Sequence, residues 1–518
     1  MPTLATHAEK DPDRIAVIYG NGEHVETYAE LDRRSRRVAL ALRRSGVEPG
    51  GSVALLMGNE DDFFDIYWAC MRSGVYLTPV NWHLAEDEVQ YIVDNCDADV
   101  FIAHASFAQV AARVALGVPR AKIRVSVGGE IAGFRPLEEL LADVPEDPLL
   151  EDQLQGSVMV YSSGTTGLPK GVRRPLGRVP FDREAGPGAG GFQAMFGIGE
   201  GDRYIVPAPL YHAAPLMFAA SQHGMGSTVV VMRRFDAEEA LRIIQDQKVT
   251  ASQWVPTHFK RMLELPEDVR KKYDVSSLRV AVHAAAPCPL PIKEAMIEWW
   301  GDAIIEYYAG TEGGGTLIRA QEWLEHKGSV GRHWGGGKIH ILDENGDQID
   351  APRTEGAVYF EGAENAAARF SYYKDEEKTR NTYRGRFFTL GDIGYLDEEG
   401  YLYLTDRQSN MIISGGVNIY PQETENVLLS DPRVHDVAVL GVPSDAMGEE
   451  VKAVVMPAPG IEPGPRLEAE LIKFCRDHMA HYKCPRSIDF VDELPRTATG
   501  KMAKHKLKAH YWPEGTRI

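Results

Sequence analysis

The chain has 518 residues, more than a single hydrophobic core usually organises, so two or more domains are expected. Its net charge of −19 argues against a general nucleic-acid-binding protein, because such a protein carries a basic face. The five cysteines have no C-x-x-C spacing, which disfavours a zinc site or a disulfide framework and indicates a reducing compartment. With no signal-like N-terminus and no apolar run of about 20 residues, the sequence predicts a cytoplasmic protein with no membrane span and at most a weak peripheral membrane contact.

The first 310 residues alternate strand-like and helix-like segments. Residues 27–31 have the character of a helix start, and apolar residues at helical spacing continue to Leu42; a second helical pattern covers 61–71. Candidate strands cover 52–57, 74–80, 99–103, 157–160, 204–206, 228–232, 252–255, 279–282 and 304–307. Strands separated by helical stretches of about 10–20 residues favour βαβ units and parallel pairing.

One loop stands out between these segments. Residues 161–171 hold three glycines, four Ser or Thr hydroxyls and Lys170, directly after the candidate strand 157–160. Backbone N–H groups of a glycine-rich turn, hydroxyl donors and a lysine charge together suit a phosphate. Pro169 stands where a Walker A loop has glycine, so the loop is not of that type. A surface loop with a solvated lysine is the alternative interpretation.

The second part of the chain changes character at about residue 328. Short β-like runs surround Asn345-Gly346, a strong hairpin signal, and residues 394–404 read as another hairpin, so a small β-rich subdomain is expected. After Arg407 a smaller unit begins, with strand-like runs at 434–440, 450–456 and 487–491, a helical pattern at 467–479 and a basic, partly helical tail at 501–508. The sequence therefore predicts an α/β fold: a large N-terminal domain over 1–408, built of βαβ-type subdomains plus the β-rich one, and a small α+β C-terminal domain over 409–518.

Several candidate strands run into loops whose residue types suit a nucleotide, and ligands in open α/β sheets bind outside the carboxyl ends of strands. Tyr308 can stack on a base, Thr311 can hold a phosphate, and Glu312 can bind Mg²⁺ beside a polyphosphate. The carboxylate of Asp392 can accept the hydroxyls of a ribose. Arg407 offers a fixed donor fork, and Lys501 follows a glycine-containing loop. Taken singly, each of these residues also fits a structural or solvated role.

The ordered set of motifs resembles the adenylate-forming family of acyl-CoA synthetases, aryl-CoA ligases, luciferases and adenylation domains. The resemblance covers nearly the whole chain and rests on residues 27–31, 161–171, 209–212, 284–287, 308–312, 328–331, 391–392, 406–407, 414–421 and 495–501.

The resemblance implies a two-step reaction with Mg²⁺. A carboxylate attacks the α-phosphate of ATP to give an acyl-adenylate and pyrophosphate, and a thiol, usually that of coenzyme A, then displaces AMP. It further implies that the C-terminal domain rotates between the steps, about a hinge at Ser409. The catalytic residues it implies are Lys501, Glu312 and Thr311, with Glu312 on Mg²⁺. For ATP or AMP binding it implies Ser162, Ser163, Gly164, Thr165, Thr166, Gly167, Lys170, Ala285, Ala286, Pro287, Tyr308, Thr311, Asp392, Arg407 and Lys501. For coenzyme A it implies Ser414, Gly415 and Gly416.

The sequence departs from the family pattern at Ser409, where Asp or Lys is usual, at Ala309 and at Ala284. His212 stands where amino-acid-activating relatives place an Asp, which disfavours an amino acid and suits a hydrophobic acid. The acyl pocket is expected to involve His212, Met217, Gly313 and Gly314, with Phe196 and Phe218 as further apolar candidates. A medium- or long-chain fatty acid or a bulky alicyclic or steroid acid is favoured.

Other interpretations stay open at this point. An aryl-acid–CoA ligase, a non-catalytic nucleotide-binding relative and a light-emitting oxygenase share the same motifs. The expected partners are a small-molecule carboxylic acid, ATP and coenzyme A, with no nucleic acid. The sequence leaves the choice between monomer and homodimer open.

Overall fold

The computed structural model describes residues 3–162, 169–181, 195–334, 337–362, 369–407, 410–414, 417–444, 447–496 and 502–512. Two compact units can be distinguished. The first comprises Met1–Trp254, Arg261–Val282 and Ala363–Asn381, and the second comprises Val255–Lys260, His283–Gly362 and Thr382–Ile518. The predicted domain boundary between residues 408 and 409 stays a prediction.

The strands follow one another along the described residues in this order: β1 Ile15–Tyr19, β2 His24–Thr27, β3 Ser52–Leu56, β4 Tyr76–Pro79, β5 Val100–His104, β6 Ile123–Val127, β7 Arg135–Pro136, β8 Ser157–Val158, β9 Val160–Ser162, β10 Lys170–Arg173, β11 Arg203–Val206, β12 Thr228–Val231, β13 Ala251–Trp254, β14 Val280–His283, β15 Ile304–Gly310, β16 Gly313–Arg319, β17 Arg332–His333, β18 Ile339–Leu342, β19 Gly356–Glu361, β20 Ser371–Tyr372, β21 Tyr383–Arg384, β22 Phe387–Leu396, β23 Leu402–Arg407, β24 Ile412–Ser414, β25 Val417–Ile419, β26 Val434–Ser444, β27 Gly448–Pro457 and β28 Ser487–Phe490.

The α-helices are α1 Leu4–Lys10, α2 Tyr28–Arg44, α3 Phe63–Arg72, α4 Glu86–Asn95, α5 Ala108–Gly117, α6 Leu137–Leu141, α7 Ala213–Met225, α8 Ala237–Asp246, α9 Pro256–Leu263, α10 Glu267–Lys272, α11 Leu290–Trp300, α12 Ala320–Glu325, α13 Glu376–Thr382, α14 Pro421–Leu429, α15 Pro465–His478 and α16 Lys504–Tyr511. Within the described ranges, none of the helices combines the length and the apolar character that crossing a bilayer requires.

The first unit contains two sheets that are wholly or mainly parallel. One has the order β7-β6-β5-β3-β4-β8, and all its neighbours run parallel. In the other, β13, β11, β12 and β1 lie side by side, with β2 antiparallel to β1. All five residues of β3 are buried, as expected for a strand covered on both faces. The βαβ organisation predicted for this part of the chain is confirmed.

Helix α2 begins where the sequence predicts a helix start. The Thr27 side chain accepts a hydrogen bond from the Glu30 N–H at 3.2 Å, and the Glu30 carboxylate accepts one from the Thr27 N–H at 2.8 Å. This reciprocal capping box satisfies two backbone donors that the first helical turn would otherwise leave unpaired.

The predicted strand over 157–160 is divided between two sheets. Its first part, β8, pairs with β4 in the parallel sheet, whereas β9 pairs antiparallel with β10 in a three-stranded sheet of order β20-β10-β9. Met159, fully buried, stands at the change and still donates its N–H to Leu77. The prediction of one continuous strand was wrong, because an apolar run is compatible with either partner and does not specify which backbone it pairs with.

The strands of the second unit pair mainly antiparallel. Strands β15, β16 and β17 lie side by side; β18-β19-β22-β21 form a sheet that β23 joins through β22; and β25-β24-β27-β26 form the last sheet, with β28 parallel to β27. The predicted β-rich subdomain and both hairpins are confirmed, with Gly346 in the left-handed region at φ 91°. The predicted helix near the end of the chain is α16.

Candidate active site

Strand β15 is longer than the sequence predicts, and this places the motif 308–312 on a hairpin. The register pairs Tyr308 with Thr316 and Gly310 with Gly313, with an irregularity between them. Tyr308 therefore lies in the strand and does not follow it, and Thr311 and Glu312 form the two-residue turn at the tip. The reason is the partner strand: β16 supplies hydrogen bonds to a stretch whose glycines have low strand propensity.

The glycines of β16 allow rings to approach the backbone. A Cβ atom on Gly314 would lie 2.8 Å from the Phe360 ring, and one on Gly315 would overlap Trp334 and lie 2.8 Å from the Tyr308 carbonyl oxygen. Packing therefore requires glycine at both positions. The predicted role of Gly313 and Gly314 in the acyl pocket stays a prediction.

Tyr308 and Asp392 are brought together from two different sheets. The Tyr308 hydroxyl donates a hydrogen bond to Asp392 Oδ2 at 2.5 Å, and Asp392 is buried in β22. The backbone of Arg407 in β23 lies directly opposite Asp392. The structure therefore brings together Tyr308, the candidate for stacking on the base, Asp392, the candidate for binding the ribose, and the backbone of Arg407. The sequence separates these residues by up to about a hundred positions.

The loop after β14 carries local strain at an exposed position. Ala285 has φ 77°, in the left-handed region. Of the two residues that follow, Ala286 is half-buried and Pro287 is exposed. Such a conformation costs a non-glycine residue about 1 kcal/mol and is found preferentially at functional sites. The loop lies at the carboxyl end of its strand, where the sequence predicts a ligand-binding loop.

The strand before this loop and the helix after it contribute to a charged cluster that the sequence did not predict. The Lys293 ammonium in α11 donates a hydrogen bond to the Glu306 carboxylate in β15, and the Lys293 side chain is 1% exposed. His283 Nε2 lies 4.0 Å from Glu306 Oε2, and the imidazole is fully buried. Burial, and next the Lys293 charge, lower the pKa of His283 well below its ordinary value. One signal was available: Glu306 interrupts an apolar strand.

The ends of the loop 161–171, which we name the hydroxyl-rich loop, make polar contacts within the first unit. The Tyr161 hydroxyl donates to Asn95 Oδ1 at 2.6 Å, and Lys170 Nζ lies 2.7 Å from Asp375 Oδ2.

The residues predicted for the acyl pocket include two on one helix. His212 is the N-cap residue of α7, and Met217 is half-buried on the same helix. Phe196 and Phe218 are buried against each other, with their ring centroids 5.9 Å apart.

Several predicted site residues lie outside the described residues. These are Ser163, Gly164, Thr165, Thr166, Gly167, Ser409, Gly415, Gly416 and Lys501. Ser162 and Arg407 are described by their backbone alone, in β9 and β23, and Ser414 ends β24.

The carboxylate of Glu312 suits a magnesium ion whose other ligands include substrate phosphates. Across the described ranges, no group of three or more His, Cys, Asp or Glu side chains could hold a metal ion by itself. Mg²⁺ is typically held by one or two carboxylates together with substrate phosphates and water, so a single carboxylate at a hairpin tip suits it.

The two parts of the chain match two family models in sequence order. Residues 4–368 match the model of the AMP-binding enzymes, and residues 423–501 match that of the AMP-binding enzyme C-terminal domain. The chain belongs to the AMP-binding enzyme family. The resemblance drawn from the motifs is thereby confirmed, as is the α/β fold with its large N-terminal and small C-terminal domains.

Relatives of this AMP-binding enzyme match it along nearly their whole length. It is 30% identical over 522 residues to a fatty acid–[acyl-carrier-protein] ligase of Streptomyces coeruleorubidus, covering 99% of this chain and 97% of that one. It is 32% identical over 506 residues to a 2-succinylbenzoate–CoA ligase of Bacillus licheniformis, covering 97% and 98%. An o-succinylbenzoate–CoA synthetase from Bacillus subtilis, solved with its acyl-adenylate intermediate, has a TM-score of 0.81 and 28% identity, covering 98% of each chain.

These comparisons establish the general reaction. The protein is an AMP-forming acid–thiol ligase of the acyl-CoA synthetase type, and the enzymes of its family use ATP, coenzyme A and Mg²⁺. The relatives activate different acids, so the acid is not decided by family membership.

Proposed function

We propose that this enzyme activates a hydrophobic carboxylic acid, a medium- or long-chain fatty acid or a bulky alicyclic or steroid acid, and transfers it to coenzyme A. The observation that carries the proposal is His212 at the N-cap of α7. A histidine there offers no carboxylate to an amino-acid ammonium, and the helix that follows is mainly apolar. A ligand without positive charge is therefore favoured.

The adenylation step needs positive charge close to the α-phosphate, because negative charge builds up on its oxygens in the transition state. The substrate carboxylate is already a nucleophile, so no side chain has to take that role. In the proposal Lys501 and the N–H groups of the hydroxyl-rich loop stabilise the transition state, and Thr311 binds a phosphate oxygen. Glu312 would hold Mg²⁺, which neutralises polyphosphate charge when bound.

The nucleotide is recognised, in this proposal, by the contacts of the second unit. Tyr308 and the loop 285–287 flank the base, while Asp392 accepts the ribose hydroxyls with Arg407 beside it. The Tyr308–Asp392 hydrogen bond supports this assignment, because it fixes the carboxylate that a ribose would meet. Ser414, Gly415 and Gly416 would contact coenzyme A in the second step.

An aryl acid is the second candidate. Tyr211, the residue before His212, is buried among other rings: its centroid lies 6.2 Å from that of Trp82 and 6.4 Å from that of His83. Phe107 stacks on Trp82 at 5.6 Å. An aromatic wall next to His212 would suit a planar ring, because aromatic pairs gain energy beyond that of the area they bury.

The test measures pyrophosphate release and AMP formation against a graded series of acids, assayed with coenzyme A, with a carrier protein and with neither thiol. The series runs from short to long fatty acids and includes benzoate, cinnamate and steroid acids. The proposal expects a hydrophobic, non-aromatic acid to have the highest kcat/KM and coenzyme A to be the better acceptor. Highest activity with an aryl acid would replace the proposal by the second candidate, and no pyrophosphate release with any hydrophobic acid of the series would reject the proposed substrate class.

A further inference from the structure

Residues 371–375 lie along β10, the strand that follows the hydroxyl-rich loop. Strand β20 pairs with it antiparallel, with Val172 opposite Tyr372 and Arg173 opposite Ser371. The Tyr373 N–H then donates a hydrogen bond to the Gly171 carbonyl at 2.8 Å. This segment, which we name the clamp, therefore holds β10 through its backbone over most of its length.

The clamp is itself anchored by Tyr373. The Arg173 guanidinium lies between two tyrosine rings, with its Cζ 3.9 Å from the Tyr76 centroid and 4.3 Å from the Tyr373 centroid. The Tyr373 hydroxyl donates a hydrogen bond to Asp97 Oδ2 at 2.6 Å, and Lys374 Nζ lies 3.0 Å from Asp97 Oδ1. Cation–π contacts on both faces and two bonds to one carboxylate restrict the motion of the clamp.

Asp375, at the end of the clamp, makes two contacts with its two carboxylate oxygens. Oδ1 accepts the Lys378 N–H at 2.9 Å, which caps the start of α13. Oδ2 lies 2.7 Å from Lys170 Nζ, and the two side chains are 20% and 30% exposed. The hydrogen bond from Lys170 holds the pKa of Asp375 below its usual value. The carboxylate is thus fixed by the helix and oriented towards the lysine.

We propose that Asp375 is a positioning residue, which holds the Lys170 ammonium in place before the nucleotide arrives. The proposal rests on the proposed function, ATP-dependent activation of an acid, and on the ATP-binding role that the family resemblance implies for Lys170. An ammonium has three donors, so Lys170 can bind Asp375 and a phosphate oxygen at the same time. A lysine side chain loses rotamer entropy when it is fixed, and Asp375 would impose that loss during folding, before the nucleotide binds.

The variant Asp375→Asn distinguishes the two roles of Asp375, its charge next to Lys170 and its cap on α13. Asparagine caps a helix as well as aspartate does, so α13 keeps its start while Lys170 loses its counter-charge. We expect the Kd of a non-hydrolysable ATP analogue with Mg²⁺, measured by titration calorimetry, to rise about fivefold, as for a partly exposed pair. The KM for ATP should rise with it, while kcat changes less than the KM. Asp236→Asn is the matched control, because Asp236 caps α8 in the same way through the Glu239 N–H at 2.9 Å.

A double-mutant cycle with Lys170→Met decides whether the two residues act as a unit. In the Lys170→Met background, Asp375→Asn should add no further loss of analogue affinity. Additive losses, or unchanged affinity in either single variant while the thermal midpoint stays at the wild-type value, would overturn the proposal. Calorimetry reads nucleotide binding without any acid present, so a failure to find the right carboxylic acid leaves this result interpretable.

Discussion

Replacing Lys293 by Met removes one half of a buried charge pair and should destabilise the second unit. The Lys293 ammonium contacts Glu306 and lies 4.5 Å above the Trp323 ring, with the side chain 1% exposed. Removing one partner of such a pair typically costs about 3–5 kcal/mol, because the other charge stays buried without compensation. The double variant Lys293→Met/Glu306→Gln leaves no uncompensated charge buried, so it should cost less stability than Lys293→Met alone.

The loss of stability caused by the single variant Glu306→Gln has an upper limit. The pKa of Lys293 is lowered, first by burial, from its ordinary 10.5. Without Glu306 the lysine can lose its proton. Removing the proton from a lysine with the ordinary pKa of 10.5 costs about 4 kcal/mol at about pH 7.5, because each of the roughly three pH units between the two values costs about 1.4 kcal/mol. The two single variants should therefore lose similar amounts of stability for different reasons.

His283 makes the penalty depend on pH. Its pKa lies well below 6.5 in the folded protein, through burial and then Lys293, so the unfolded chain binds protons first as the pH falls below 6.5. This contribution to stability is present above the ordinary pKa and is lost as the pH falls. Without the Lys293 charge, and with Glu306 4.0 Å away, the folded pKa of His283 should rise, so this loss becomes smaller. The cost of Lys293→Met should therefore shrink between about pH 7.5 and pH 5.5.

The assay is urea unfolding of the wild type, both single variants and the double variant at the two pH values, followed by circular dichroism and tryptophan fluorescence. Lys271→Met serves as the control, because Lys271 pairs with Glu267 on the surface and its side chain is 74% exposed; no measurable change is expected there. A double variant as unstable as Lys293→Met, or a penalty that is equal at both pH values, would refute the reasoning.

Three further outcomes follow from single contacts. Tyr308→Phe removes the donor to the buried Asp392 carboxylate and should raise the KM for ATP about tenfold; an unchanged KM would separate Tyr308 from nucleotide binding. Gly315→Ala places a Cβ against Trp334 and should lower the unfolding free energy by about 1–3 kcal/mol, whereas a wild-type thermal midpoint would show that the ring moves aside. Thr27→Ala breaks the capping box of α2 and should cost about 1 kcal/mol in urea unfolding, which Thr27→Ser should largely restore; equal losses in both variants would contradict the capping assignment.

The predicted helices and strands lie largely where the sequence places them, because periodicity and caps are local. The capping box at Thr27 and Glu30 and the turn at Gly346 depend on neighbours only a few residues away. The pattern failed where the outcome depended on which strand pairs with a given segment. Tyr308 lies inside β15 because β16 pairs with it, and the run 157–160 changes sheet at Met159 because β10 is the next partner.

The sequence by itself determined the family and the residue types of the site, since ordered motifs of Gly, Ser, Thr, Lys, Asp and Glu identify a nucleotide chemistry without coordinates. Only the tertiary structure decided which of these groups meet. The Tyr308–Asp392 hydrogen bond, the Lys170–Asp375 pair and the buried Lys293–Glu306–His283 cluster join residues that are 13 to 205 positions apart. The physical reason is that burial and electrostatic neighbours are properties of a packed chain, and they determine whether a given lysine or carboxylate is solvated, paired or poised for a ligand.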